Sequence, residues 1–168
     1  MKTKIALKYG LISGCMIVSS WFILLGFEDN PDFALAEILG YAIMIAALSA
    51  VFVGIKRIRD ENGSLSFKEA FLNGLGITLV ASTIYVIGWM IYMPNFAPDF
   101  VDKYTASQVE LIEQMDIENE EKLEQINDIN EWMETYKQPH IMVAMTFVEI
   151  FPVGLIVTLI SALILKRK

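Results

Sequence analysis

The chain is 168 residues long, 55% hydrophobic and 20% charged, with a formal net charge of −7 and a mean hydropathy of +0.49. That balance excludes an ordinary soluble domain, which has too little surface to hide so much apolar area, and makes a membrane protein the expected class. There is room for one domain of about four spans, since each needs about 20 apolar residues to cross about 30 Å of hydrocarbon.

In chain order, Lys2, Lys4 and Lys8 precede a first uncharged run, YGLISGCMIVSSWFILLGF, over residues 9–27. A second uncharged run covers 38–55, with Pro31 and Asp32 ahead of it suiting a helix start. The segment IKRIRDENGSLSFKEAF follows and gathers Lys56, Arg57, Arg59 and Lys68. Within it Asn62-Gly63 reads as a turn, and Ser66 with Glu69 fits the capping box that opens a helix. A third run spans 70–93. A fourth, 141–165, holds Glu149 as its only charged residue.

Between the third and fourth runs, residues 94–140 hold twelve acids against Lys103, Lys122 and Lys137, a net −9 that accounts for the acidity of the whole chain. Ser107 with Glu110 offers another capping box, 116–119 reads as a joint between two helices, and Leu123, Ile126, Ile129, Trp132, Met133 and Tyr136 form an apolar stripe at helical spacing. Four spans would return the chain to its starting side, so every cluster of Lys and Arg, including Lys166, Arg167 and Lys168, falls on one face. The positive-inside rule makes that face cytoplasmic. The expected fold is therefore all-α: an integral membrane four-helix bundle with both termini cytoplasmic and an extracytoplasmic acidic helical hairpin, 94–140, between helices three and four.

Few residues invite a chemical role. Ile12-Ser13-Gly14-Cys15 resembles a lipoprotein cleavage box, but Lys8 leaves too short an apolar stretch ahead of Cys15 and the run continues past it. A buried, unmodified thiol is expected, and a single cysteine makes no internal disulfide. Glu149 is costly in hydrocarbon and must face the bundle, take a proton or find a partner. Pro152, three residues on, frees the carbonyl of Val148 at a similar depth. Glu149 and Pro152 thus form a candidate intramembrane polar site, read either as an ion or proton site or as a structural acid bonded to Ser19, Ser20, Ser82 or Thr83. Small residues recur every fourth position at Gly10 and Gly14, at Ala42, Ala46, Ala50 and Gly54, at Ala70, Gly74, Thr78 and Ser82, and at Gly154, Thr158 and Ala162. Such stripes let helices approach closely in lipid, and the one in the second run carries the most weight for bundle assembly or homo-oligomer contact. His140 has no spaced ligands beside it, no catalytic constellation can be assembled, and the basic loop lacks the features of a phosphate or nucleic-acid site. No enzymatic activity, cofactor, metal or nucleic-acid partner is expected.

The strings ALKYGLISG, IKRIRDENGSLSFKEAF, PDFVDKY and FVEIFPVGLIVTLISALILKRK together resemble the bacterial membrane family filed as domain of unknown function 4199, over essentially the whole chain. The resemblance implies a multi-span protein of the bacterial inner membrane and supplies no activity or site residues. Two functional readings stand. The first is a non-catalytic interaction or assembly protein, embedded in the lipid bilayer and meeting an envelope or membrane protein through the acidic hairpin at Trp132, Met133 and Tyr136. The alternative is a small oligomeric transporter or channel subunit with a midmembrane site at Glu149.

Overall fold

The structure is a computed structural model that describes residues 2–24 and 32–166. The predicted end of the first run at Phe27, most of the connection 28–34, and Arg167 and Lys168 lie outside the described residues. Within them the chain is helical, with no strand: α1 (Thr3–Leu24), α2 (Phe33–Leu48), α3 (Ala50–Asn62), α4 (Phe67–Phe96), α5 (Phe100–Gln114), α6 (Asn119–Tyr136) and α7 (Pro139–Leu165). Four stretches are long and apolar enough to cross a membrane: Thr3–Leu24, Phe33–Asn62, Phe67–Phe96 and Pro139–Leu165.

The elements start and stop where local chemistry dictates. Asp32 caps α2, its carboxylate accepting from the Leu35 N–H at 3.0 Å. The second run, expected as one helix, is two that meet at Ser49. Its hydroxyl donates to the Ala46 carbonyl at 2.6 Å and so competes with the backbone ladder at that turn. α3 stops at Gly63, whose φ of 76° is the left-handed conformation that glycine adopts at low cost. The capping box then opens α4: the Glu69 N–H donates to Ser66 Oγ at 3.3 Å, and the Ser66 N–H to Glu69 Oε2 at 3.1 Å. At its far end α4 passes through Pro94 and stops at Phe96, three residues beyond the third predicted run, with Asn95 Nδ2 donating to the Ile91 carbonyl at 2.7 Å.

The capping box expected in the acidic block, Ser107 with Glu110, does not form. α5 starts at Phe100, where the ring packs edge-on against Trp89 at 5.0 Å and against Phe33 at 5.7 Å, and this anchorage leaves Ser107 inside the helix. The joint between α5 and α6 falls at 115–118, beside the expected position. The two helices pack against each other, tied by Lys122 Nζ on the Glu113 carbonyl at 2.8 Å and by Lys137 Nζ with Asp102 at 3.1 Å.

α4 lies between α1 and α7, and α2 and α3 close against those same two helices. The small residues explain the close approach. A methyl added at Gly10 would stand 2.5 Å from Val80 Cβ, and one at Gly14 would stand 2.7 Å from Ile84 Cβ, so α1 and α4 touch through bare backbone. On the other side Thr78 Oγ1 is 2.9 Å from Thr158 Oγ1 and donates to the Gly154 carbonyl at 3.2 Å, with Ala70, Gly74 and Ala162 buried along the same seam. The stripe given most weight from sequence behaves differently. Gly54 is buried against Ile77 and Tyr9, but Ala42 and Ala46 are exposed, because α2 turns Phe33, Met44, Ala47 and Leu48 inward instead. Cys15, expected to be buried, is exposed, since α1 presents Gly10, Ser13, Gly14 and Ile17 to its neighbours instead.

At one end the Lys2 N–H donates to Asn73 Oδ1 at 2.8 Å, while Lys2 Nζ pairs with Glu61 at 2.8 Å. The start of α1, the end of α3 and the start of α4 therefore meet there, with Lys68 in the first turn of α4. At the opposite end, the last turns of α1 and α4 meet α5, α6 and the first turns of α2 and α7.

Candidate functional site

That second end holds a cavity of about 320 Å³. Its walls follow from helical spacing. α2 contributes Phe33, Ala36, Glu37, Gly40, Tyr41 and Met44, a single face at intervals of three and four residues. α1 contributes Ile17, Ser20, Trp21 and Leu24, again one face; α4 gives Tyr85 and Trp89, and α7 gives Met145 and Glu149, each pair four residues apart. The mouth is completed by Phe100, Val101 and Tyr104 of α5 and by Trp132, Met133 and Tyr136 of α6. All three tryptophans of the chain line this one space.

The aromatic rings fix one another. Trp21 lies 5.0 Å from Tyr85 and 5.1 Å from Trp89, ring centre to ring centre, and the Phe33 ring meets Tyr104 edge-on at 5.5 Å. Offset and edge-on pairs at such separations contribute about 0.5 to 1.5 kcal/mol each beyond the area they bury, so the walls are stiff. The Trp89 indole N–H donates to the Tyr136 hydroxyl at 2.8 Å and thereby ties α6 to α4 across the mouth. Burial raises the Tyr136 phenol above its ordinary value, and burial together with the Glu37 carboxylate does the same for Tyr104. Both stay neutral hydroxyls in the physiological range.

Glu149 lines this cavity and accepts a hydrogen bond from the Tyr85 hydroxyl at 2.9 Å. The partner differs from the short hydroxyls expected. Ser20 donates to the Ile17 carbonyl at 2.7 Å and Thr83 to the Leu79 carbonyl at 2.8 Å, each within its own helix, while Ser82 Oγ is buried without a partner. A phenol reaches across the interhelical gap where a serine or threonine does not. Pro152 is exposed and stands away from the cavity lining, so the structure separates the proline from the acid.

Glu37 is the residue that sequence reading passed over. It sits immediately before the apolar run at 38, whereas α2 begins at Phe33 and carries Glu37 into its second turn, on the cavity face. Asp32, already legible as a helix start, would have revealed it if helical register had been counted from the cap. Among the described residues Glu37 makes no side-chain hydrogen bond or ion pair, and Glu149 makes only the one from Tyr85. Among the described residues no lysine, arginine or histidine lines the cavity, and no three His, Cys, Asp or Glu side chains come together as a metal-ligand set.

An all-helical chain with four stretches able to cross a membrane and an aromatic chamber at one end is thus the class that sequence and fold define. The chain belongs to the family described as protein of unknown function (DUF4199), which matches residues 8–167. No curated protein and no solved structure matches it.

Proposed function

We propose that this is a non-catalytic integral membrane protein that binds a small molecule in the chamber between its four spans and the acidic helical hairpin, α5 and α6. The spans cross the bacterial inner membrane, both termini and the Lys56 to Lys68 loop are cytoplasmic, and the chamber opens on the outer side. The gathering of Lys2, Glu61 and Asn73 at the opposite end supports this arrangement, because it brings the basic segments together at one end. The single observation that carries the binding reading is the cavity of about 320 Å³, mostly apolar and aromatic with two carboxylates, which matches the lower range of small-molecule sites. Glu149 lies about 12 Å below the start of the fourth run on helical rise, so a ligand entering the mouth would be held within the outer half of the bilayer. Trp132, Met133 and Tyr136, read from sequence as a surface for a protein partner, serve here as the rim of that site.

The experiment exploits Gly40, where an added Cβ meets nothing within 4 Å. Gly40→Leu fills the chamber and raises helix propensity, so the fold should hold while the site is lost. Protein purified in lipid nanodiscs should release a bound small molecule in native mass spectrometry for the wild type and none for Gly40→Leu, with equal melting midpoints once the ligand has been removed. An identical set of bound species in both would refute the chamber as a binding site.

A further inference from the structure

We infer that the chamber selects an organic cation, a quaternary ammonium or bulky amine, whose charge is held by Glu149 and Glu37 and whose apolar body lies against the rings of Trp21, Tyr85 and Trp89. The inference rests on the small-molecule reading above and adds the chemistry of the ligand. Charge comes first. Among the described residues the two carboxylates are the only groups on the lining that carry charge at neutral pH, and no basic residue there offsets them. An anion meets no cationic side chain among the described residues and faces two carboxylates.

Hydrogen-bonding capacity comes second. An ionised carboxylate can accept about four hydrogen bonds; Glu37 has no side-chain partner among the described residues, and Glu149 has only Tyr85 at 2.9 Å. Both therefore retain acceptor capacity facing the cavity. A sugar or other polyhydroxylated molecule would find few matching groups on the walls: Ser20 bonds its own backbone at 2.7 Å, the Tyr85 hydroxyl is committed to Glu149 at 2.9 Å and the Tyr136 hydroxyl receives the Trp89 N–H at 2.8 Å, which leaves the hydroxyls of Tyr41 and Tyr104. A cation without donors of its own leaves none of these groups worse off.

Size and surface come third. A bare inorganic ion would rattle in about 320 Å³, whereas a cation carrying an apolar body fills it. Aromatic rings attract cations through the negative potential of their faces, tryptophan best of all, and the attraction grows where water is displaced. An uncharged lipid chain would be content with the rings but leaves the two acids unexplained.

The tryptophans supply the readout, since all three line the chamber. The probe is benzyltrimethylammonium, compared with its uncharged carbon isostere neopentylbenzene, each titrated against the full chain in nanodiscs of zwitterionic phosphatidylcholine. The cation should quench tryptophan fluorescence saturably and raise the melting midpoint, and the isostere should bind at least about tenfold more weakly, the factor that 1.4 kcal/mol represents. Glu149→Gln, which keeps an acceptor for Tyr85, and Glu37→Gln, whose side chain has no partner to lose, should each weaken the cation and leave the isostere unchanged. Glu37→Gln decides the matter if Glu149→Gln alters the melting midpoint of the ligand-free protein. Equal binding of cation and isostere, or full affinity in both variants, overturns the cation inference while the chamber remains a binding site. Failure of both probes to alter fluorescence overturns the chamber reading as well.

Discussion

Glu149 and Glu37 show what a single residue can and cannot reveal in sequence. An acid in the middle of an apolar run is conspicuous because of its cost in hydrocarbon, so Glu149 could be singled out unaided. Its partner could not, because Ser20 and Thr83 turn back on their own helices, Ser82 is left without a partner, and the tie comes from Tyr85 at 2.9 Å. Glu37 was hidden because it interrupts the apolar stretch: the uncharged run begins only at 38, although residues 33–36 ahead of it are already helical. At the basic end, Glu61 gives a sharper residue-scale test. Hydrogen bonds from Arg57 at 2.8 Å, then from Lys2 at 2.8 Å, hold its carboxyl at about 2 against an ordinary 4.5. A depressed folded pKa contributes stability that is present above the unfolded value and is lost as pH falls through the folded one, so the tie between α1 and α3 should persist at pH 4.5 and loosen toward pH 2. A carboxyl-carbon NMR titration should give a midpoint near 2 that moves up in Arg57→Gln; an unchanged midpoint in that variant would deny the pairing.

Among the elements, α4 organises the rest because it meets small residues of two neighbours at once. Gly10 and Gly14 of α1 face Val80 and Ile84 on one side, and Gly154 and Thr158 of α7 face Thr78 on the other. The stripes themselves were legible, but their ranking was not. Residue spacing says which residues share a face, while only the docked helices say which face is used. Ala42 and Ala46 form the most regular stripe and point outward, because Phe33, Tyr41 and Met44 take α2's other face into the chamber. This distinction has a measurable consequence. Gly154→Ala puts a methyl against Thr78 and should destabilise the purified protein by about 1 to 3 kcal/mol, the usual cost of overpacking. Ala46→Leu, on the exposed face, should stay within about 0.5 kcal/mol. Thermal or denaturant melts in nanodiscs compare the two directly, and a larger loss from Ala46→Leu would reverse the assignment of the seam.

For the whole molecule, sequence gave the number and approximate position of the long apolar helices, because a run of uncharged residues and a capping box are local signals. The chamber is not local. Its walls come from six helices, and its aromatic residues look individually like ordinary span or hairpin residues until Trp21, Trp89 and Phe100 are brought together. The acidic block read as a solvated face with an apolar stripe, yet the stripe's last turn closes the mouth through Tyr136 and Trp89. Ligand entry from outside the cell requires the chamber and the hairpin to face outward. Cysteine labelling in intact cells tests this most directly, with the exposed Cys15 first replaced by serine. A membrane-impermeant maleimide should modify Glu37→Cys and Glu120→Cys from outside, and Asn62→Cys only after permeabilisation. Labelling of Asn62→Cys in intact cells, with Glu37→Cys and Glu120→Cys protected, would contradict the account.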